Sequence, residues 1–284
     1  MSNLNDLANK VAPLVATSGF AQQVSVADPL AFLSSIVEYS DNPKSSQIRL
    51  LIISKNGLGK TWSALTAPNP IVCDFDRGML AHQDRKIPTL NFYDVDFCKK
   101  INPQKPNARD AFEQWLCFPG TKTGAEHIPA GHTLIIDSWT GLQDFEGQQT
   151  DIAPKVTAKG KEDGYAKWAT KLEYATKICL RLQTLACHVI VTAHEDEMKD
   201  ENGALMNRVM PLMQGKFQQK MGNYFTHIVR MLVTSKNTLN STGKIESVQS
   251  EWWWQCQTDD NFAAKCRGRN DKYKVPARWE CLPQ

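Results

Sequence analysis

No stretch of this 284-residue chain approaches the ~20 consecutive apolar residues that a membrane-spanning helix needs, which argues against a membrane partner. Residues Met1–Asn9 lack the basic segment and apolar run of an export signal. None of the eight cysteines (Cys73, Cys98, Cys117, Cys179, Cys187, Cys256, Cys266, Cys281) belongs to a C-x-x-C pair, so a zinc site is not indicated. Several sit inside apolar runs, as Cys73 does in Ile71–Phe75, the setting of a small buried hydrophobe rather than of a disulfide. Together these absences lead us to expect a cytoplasmic protein with reduced thiols. The formal net charge of +3 is too small to imply nucleic-acid binding on its own, so any basic surface must be local. No internal repeat is visible. What remains is ordinary for a globular chain: 42% apolar and 22% charged residues, with length enough for one full-sized core and an appendage.

We expect residues 1–46 to form an N-terminal appendage and 47–284 the main domain. Asp28-Pro29 reads as a helix start, with a capping carboxylate and proline at the first helical position, followed by helical spacing over Leu30–Tyr39. From residue 47 the pattern turns to alternating strand and helix, which predicts an α/β fold with a mainly parallel central sheet flanked by helices. Ile48–Ile53 is a short apolar run of the buried parallel type, Ile71–Phe75 and Thr89–Tyr93 follow, and Thr133–Ile136 ends in Asp137. Ala108–Cys117 reads as a helix. Residues 143–163 are polar and are expected to be a mobile loop. A long amphipathic helix is then predicted from Trp168, Leu172, Ala175, Cys179, Leu182 and Ala186, with Lys167, Lys171, Lys177 and Arg181 outside. Val189–Thr192 is another strand, and Thr226–Val233, Gln249–Gln257 and Phe262–Cys266 suggest antiparallel C-terminal strands.

The most specific motif is Ser54-Lys55-Asn56-Gly57-Leu58-Gly59-Lys60-Thr61, with Trp62 next in line. A phosphate-binding loop needs small residues so that amides can close round a phosphate, a lysine for its charge, a hydroxyl for Mg²⁺, and a following helix. Gly57, Gly59, Lys60 and Thr61 meet these needs between a strand and a helix; Ser54 stands where the pattern usually has glycine. The sequence therefore predicts ATP and Mg²⁺ as cofactors, with the competing reading a glycine-rich turn that happens to hold Lys-Thr. The second motif is the apolar strand His132–Ile136 delivering Asp137, an acceptor placed to steady Mg²⁺ together with Thr61. The third is Cys73-Asp74-Phe75-Asp76, where Asp76 could orient or deprotonate an attacking water; otherwise the two acids simply face solvent. The fourth is Val189–Glu195, in which His194 could hydrogen-bond a terminal phosphate or be merely structural. Glu195–Glu201 carries five acids and one lysine, so direct phosphate contact is not expected there. Finally, 265–278 holds six basic residues and one acid. Lys265 and Arg267, at alternate positions, suit a finger into a neighbouring subunit's site, a nucleic-acid backbone contact, or a solvated face.

In this order, SKNGLGKT, PNPIVCDFDRG, LIIDSWTGL, VIVTAHE and AAKCRGR resemble the compact RecA-like ATPases of phages, the core-only single-strand-annealing branch of the RecA/Rad family. The resemblance spans about 48–269. It implies a RecA-like P-loop core and a role in recombination, replication or repair on single-stranded DNA, with a single-strand-binding protein as a further partner. It also implies self-association into a ring or filament with ATP between subunits, in a bacterial host cytoplasm if phage-encoded. Lys60 and Thr61 match the Walker A pair and Asp137 the Walker B acid. Asp76 stands where a longer glutamate is usual, and Lys265 and Arg267 resemble a K-x-R finger acting in trans. The segments 143–163 and 195–218 follow the strands from which such proteins project DNA-binding loops. Lys55 also resembles the signature lysine of ParA/MinD-type dimeric switches, which leaves that class as an alternative. A nucleotide-gated adaptor or loader with little catalysis is another.

Overall fold

The computed structural model describes residues 47–118, 124–152, 163–199, 205–213, 217–239, 245–266 and 272–283. The expected appendage 1–46, including the helix start at Asp28-Pro29, lies outside the described residues, as do Lys155, Lys159, Lys161, Lys216 and Arg267. In chain order the elements are β1 (Arg49–Ser54), α1 (Lys60–Ala64), β2 (Pro70–Asp74), β3 (Thr89–Asn91), α2 (Val95–Ile101), α3 (Ala108–Cys117) and β4 (Thr133–Asp137). Then come α4 (Trp139–Ile152), α5 (Gly164–Thr184), β5 (His188–Lys199), β6 (Leu205–Pro211), α6 (Phe217–Lys220), β7 (His227–Leu239), β8 (Ile245–Gln255), β9 (Lys265–Cys266) and β10 (Lys274–Pro276).

One sheet joins them in the order β10-β8-β7-β1-β5-β4-β2-β3, with β6 against β5 and β9 against β7. The six strands β7, β1, β5, β4, β2 and β3 are parallel, so covering layers are needed on both faces. The apolar run of β1 meets that need by alternation. Leu51 and Ile53 enter a core with Phe75, Phe112, Leu134, Ile136, Ile178 and Val191, beneath α2 to α6. Leu50 and Ile52 enter a second core with Val72, Ile135, Ile190, Val229 and Trp254, covered by Ala64 of α1 and by C-terminal residues Val275, Ala277 and Leu282. The fold is thus the expected mixed α/β one, a mostly parallel sheet flanked by helices with antiparallel strands near the C-terminus.

Arg49 is the charged exception within β1, 6% exposed. Its guanidinium donates to the carbonyls of Ile48, Gln183, Leu185 and Cys187. It thereby satisfies backbone acceptors left over where α5 ends and β5 begins. The helices begin on side-chain caps where their sequences supply them: Asp94, Asn107 and Asp163 accept from the amides of Asp96, Asp110 and Ala166.

The structure corrects four expectations. Residues 143–152 continue α4 rather than forming a loop; the rest of 143–163 up to 162 lies outside the described residues. Polarity misled there, because Gln and Glu tolerate helix well and Trp139, Leu142 and Phe145 recur every third residue on the core side. In α5 the buried line runs through Tyr174, Ile178, Cys179 and Leu182, whereas Trp168 is 54% and Leu172 36% exposed, and Ala186 falls beyond the helix end. Residues Glu195–Lys199 extend β5 and pair with β6 instead of starting a loop. β7 is parallel to β1; the antiparallel turn comes one strand later, at β8. No described helix is long and apolar enough to cross a membrane.

Candidate functional site

Parallel strands bring their C-terminal ends to one edge of the sheet, and the motif residues gather there. β1 ends at Ser54, in register with His194 of β5, while β4 ends at Asp137 in register with Asp74 of β2. The chain leaves β1 through residues 55–59 and re-enters helix at Lys60. Two left-handed residues make this turn, Gly57 at φ 75° and Gly59 at φ 86°, a conformation that side chains disfavour. Segment 54–61 is therefore wrapped rather than extended.

Lys60 is 7% exposed. Its Nζ donates to Ser54 O (3.3 Å), Ser54 Oγ (3.3 Å) and Lys55 O (3.2 Å), and contacts His194 Nδ1 at 3.0 Å. None of these four partners is a carboxylate. Burial lowers the pKa of this ammonium, while the charges of Asp137, Asp76 and Glu195, in that order, pull it back up. A cation held by neutral acceptors with acids set further off is a site that gains from an incoming anion. His194 must offer its Nδ1 lone pair to a charged ammonium, which assigns the proton to Nε2 and a neutral ring. Burial lowers its pKa first and Lys60 adds to that, against Asp76 and Asp144.

Asp137 is 2% exposed. Thr61 Oγ1 donates to its Oδ2 at 2.7 Å and Thr192 Oγ1 to its Oδ1 at 2.6 Å. Burial nevertheless pushes its pKa up to about 6, with the hydroxyls opposing and Asp76 and Asp74 assisting. Asp76 and Asp74 part company after β2. Asp74 is fully buried and accepts from the amides of Asp76, Gly78 and Met79, at 3.2, 3.1 and 3.1 Å. It clamps the turn that carries exposed Asp76. A Cβ on Gly78 would stand 2.7 Å from Asp137 Oδ2 and 3.3 Å from both Asp76 Oδ1 and Thr61 Oγ1. Glycine thus keeps open a hollow bordered by two carboxylates and a hydroxyl.

That donor set fits a small hard cation completed by other oxygens. Among the described residues no group of three or more His, Cys, Asp or Glu could hold a metal alone. Mg²⁺ characteristically binds through one or two protein oxygens, with phosphate and water supplying the rest.

Lys60, Thr61, Asp76, Asp137, His194 and the loop residues Ser54 to Gly59 are brought together. Lys55 and Asn56 are exposed on the loop, Leu58 is half-buried, and Trp62 turns its ring to Trp252 of β8. Lys265 is not at this edge: it sits on β9 opposite Ile228, and its Nζ donates to Gly222 O at 2.8 Å. Arg267 lies outside the described residues.

Sequence reasoning passed over several participants. Thr192, the polar close of the run Val189–Thr192, was the most legible of them. Thr140 accepts from the His194 amide at 3.2 Å, and Arg230 grips Glu195 through Nε (2.9 Å) and Nη2 (3.1 Å), tying β5 to β7 beside the loop. Arg230 and Trp252 carried no local signal.

No curated protein matches the chain. Of the solved structures, 61 chains match. One is a prototypical ATPase from the type III secretion system of pathogenic bacteria, with 11% identity and a TM-score of 0.36 over 65% of this chain and 52% of that one. This chain therefore spans about half that chain's length. Residues 46–267, most of the chain and all of the site, match the AAA domain. The chain belongs to that family, an AAA-type P-loop ATPase domain whose general chemistry is nucleotide binding with Mg²⁺.

Proposed function

We propose that this protein binds and hydrolyses ATP at the 54–62 loop and couples turnover to single-stranded DNA in recombination, replication or repair. The carrying observation is the Thr61–Asp137 hydrogen bond beside the Gly78 hollow, next to a buried Lys60 whose Nζ, among the described residues, contacts carbonyl, hydroxyl and imidazole groups rather than a carboxylate. Mg²⁺ bound with the nucleotide would supply charge neutralisation between Thr61 and Asp137. Lys60 binds the terminal phosphates once they displace His194 from its ammonium. Asp76, set by the Asp74 clamp, orients and accepts a proton from the attacking water. His194, released from Lys60, donates to the phosphate through a ring that can take up a proton. The position of Lys265 on β9, away from its own loop, is compatible with the Lys265 and Arg267 pair serving a neighbouring subunit in a ring or filament.

The single-strand reading is supported by α5. Its first turns expose Tyr165 (87%) and Trp168 (54%), with Lys171 Nζ 5.8 Å from the Trp168 ring, beside a cavity of about 470 Å³ that also has Trp139 and Phe217 in its wall. Aromatic faces with cations are what unpaired bases stack on. These residues directly follow 153–162, which carries Lys155, Lys159 and Lys161.

ATP turnover measured with and without single-stranded DNA, alongside mass by light scattering, tests the whole reading. Stimulation by single strands is expected, and Tyr165→Ala with Trp168→Ala should remove it without lowering basal turnover. Turnover that ignores single strands and tracks a dimer would favour the ParA-like switch through Lys55. Binding without turnover would favour the adaptor. Mixing Arg267→Ala with Lys60→Ala subunits should recover activity; no recovery at any ratio sinks the trans finger.

A further inference from the structure

In the strand order β8 and β4 each lie two places from β1, on opposite sides. Asp137 reaches the phosphate loop from one flank, and Trp252 reaches it from the other. A Cβ on Gly59 would stand 3.6 Å from Trp252 Nε1 and 3.9 Å from its Cδ1, so the indole lies in van der Waals reach of the loop backbone. Trp62, in the first turn of α1, packs against it with ring centroids 6.1 Å apart and a 39° tilt. Arg278 holds its guanidinium 5.9 Å from the Trp62 ring centre.

Three consecutive tryptophans on β8 make the contrast clear. Trp254 is fully buried in the second core. Trp253 is engaged: its Nε1 donates to Thr234 Oγ1 at 3.0 Å and Lys274 covers its ring at 4.7 Å. Trp252 alone stays 42% exposed, although it stands against the most constrained glycine of the loop. Ring centroids 6.1 Å apart leave no space for a third ring between Trp62 and Trp252, so the exposed part of Trp252 lies elsewhere on its surface. Burying an indole and leaving an aromatic face open beside an anion cradle are different uses of the same residue. The second suits a ligand with a charged tail and a flat aromatic head.

We propose that Trp252 is the stacking platform for the base of a nucleotide whose phosphates occupy the 54–61 loop, with Trp62 and Arg278 buttressing it. This rests on the nucleotide reading above and adds where the base goes and how it is chosen. Stacking responds to ring area rather than to a hydrogen-bond pattern, so purine nucleotides bind more tightly than pyrimidine ones. The same reasoning gives adenine and guanine nucleotides similar affinity. Trp252 contributes through contact with the base, whereas Trp62 and Arg278 act as positioning residues.

Calorimetric titration of the full chain with Mg²⁺ and ADP, GDP, CDP or pyrophosphate tests this without relying on turnover. Trp252→Ala is expected to weaken ADP and GDP binding about tenfold, within the usual range for loss of one stacked base, and to leave pyrophosphate binding unchanged. Trp252→Phe should restore most of the loss. Undiminished ADP binding in Trp252→Ala would overturn the platform while leaving the phosphate loop intact. A parallel loss of pyrophosphate binding would also overturn it, by showing that the indole only holds the loop's shape. If the native protein binds neither nucleotides nor pyrophosphate, the underlying site reading fails instead. Because Trp252 is well exposed, circular dichroism melts should show native folding in both variants.

Discussion

β1 and β8 lie two strands apart in one sheet, yet they are built on opposite terms. All six residues of β1 are buried, because it runs between two parallel neighbours under covering layers on both faces. β8 pairs antiparallel with β7 and β10, and its burial fades from Trp254 and Gln255 outward to exposed Val248 and Ser247. The parallel block holds rigid the groups that need fixed geometry, namely Lys60, Asp137 and His194. The antiparallel block presents side chains to solvent and to the loop from the flank. A strand buried on both faces positions chemistry, and a strand buried over only part of its length offers contact surface.

Substitutions sharpen that contrast in order of expected size. Ile52→Ala, in the middle of β1 and fully buried, should cost about 4 kcal/mol of unfolding free energy, read from denaturant titration. A loss below about 1 kcal/mol would mean that the two cores do not meet on β1. Lys60→Ala should lower ATP turnover by about a hundredfold to a thousandfold, the usual scale for removing a donor to transition-state charge. Its melting temperature should hold or rise, since burial already disfavours the ammonium. Unchanged turnover would remove the site assignment.

The third effect is a pH dependence. Asp137 has its folded pKa raised to about 6 against an ordinary 3.8, so its ionisation is harder in the folded state than in the unfolded one. The nucleotide-free protein is therefore expected to lose stability as pH rises from about 4 to about 6, by on the order of 3 kcal/mol from this group. Asp137→Asn should flatten that slope in thermal melts. An equal slope in the variant would assign the dependence elsewhere. Smallest is Lys274→Ala, which removes a cation from over Trp253 on the exposed block and should cost no more than about 1 kcal/mol. A loss as large as that of Ile52→Ala would erase the distinction between the two blocks.

Much of the parallel block was legible because its signals are local. A strand–glycine loop–helix sequence names its own geometry, and apolar runs of five or six residues ending in Asp or Thr-Ala-His announce buried strands and their delivered side chains. The expected helix at Ala108–Cys117 matches α3 to the residue, since Asn107 and the apolar spacing mark its start. Residues 143–152 were misread because a helix with one narrow apolar stripe and many polar residues looks like a loop when only polarity is weighed. The roles of Asp74 and Asp76 were separable only once the turn's amides were seen to converge on Asp74.

By itself, the order of residues determined that this chain has a phosphate loop, a mainly parallel α/β core and an acid, Asp137, delivered at the end of a later apolar strand. Each of these is a short-range pattern in which neighbouring residues constrain one another directly. Only the folded arrangement decided that Thr61 meets Asp137, that His194 faces Lys60, that Arg230 locks Glu195 and that Trp252 stands against Gly59. Those pairs are 76, 134, 35 and 193 residues apart; parallel crossovers bring the first three together at one edge, and the antiparallel return of β8 along β7 brings Trp252 to the loop. Sequence separation holds no record of that edge until the strands are ordered side by side.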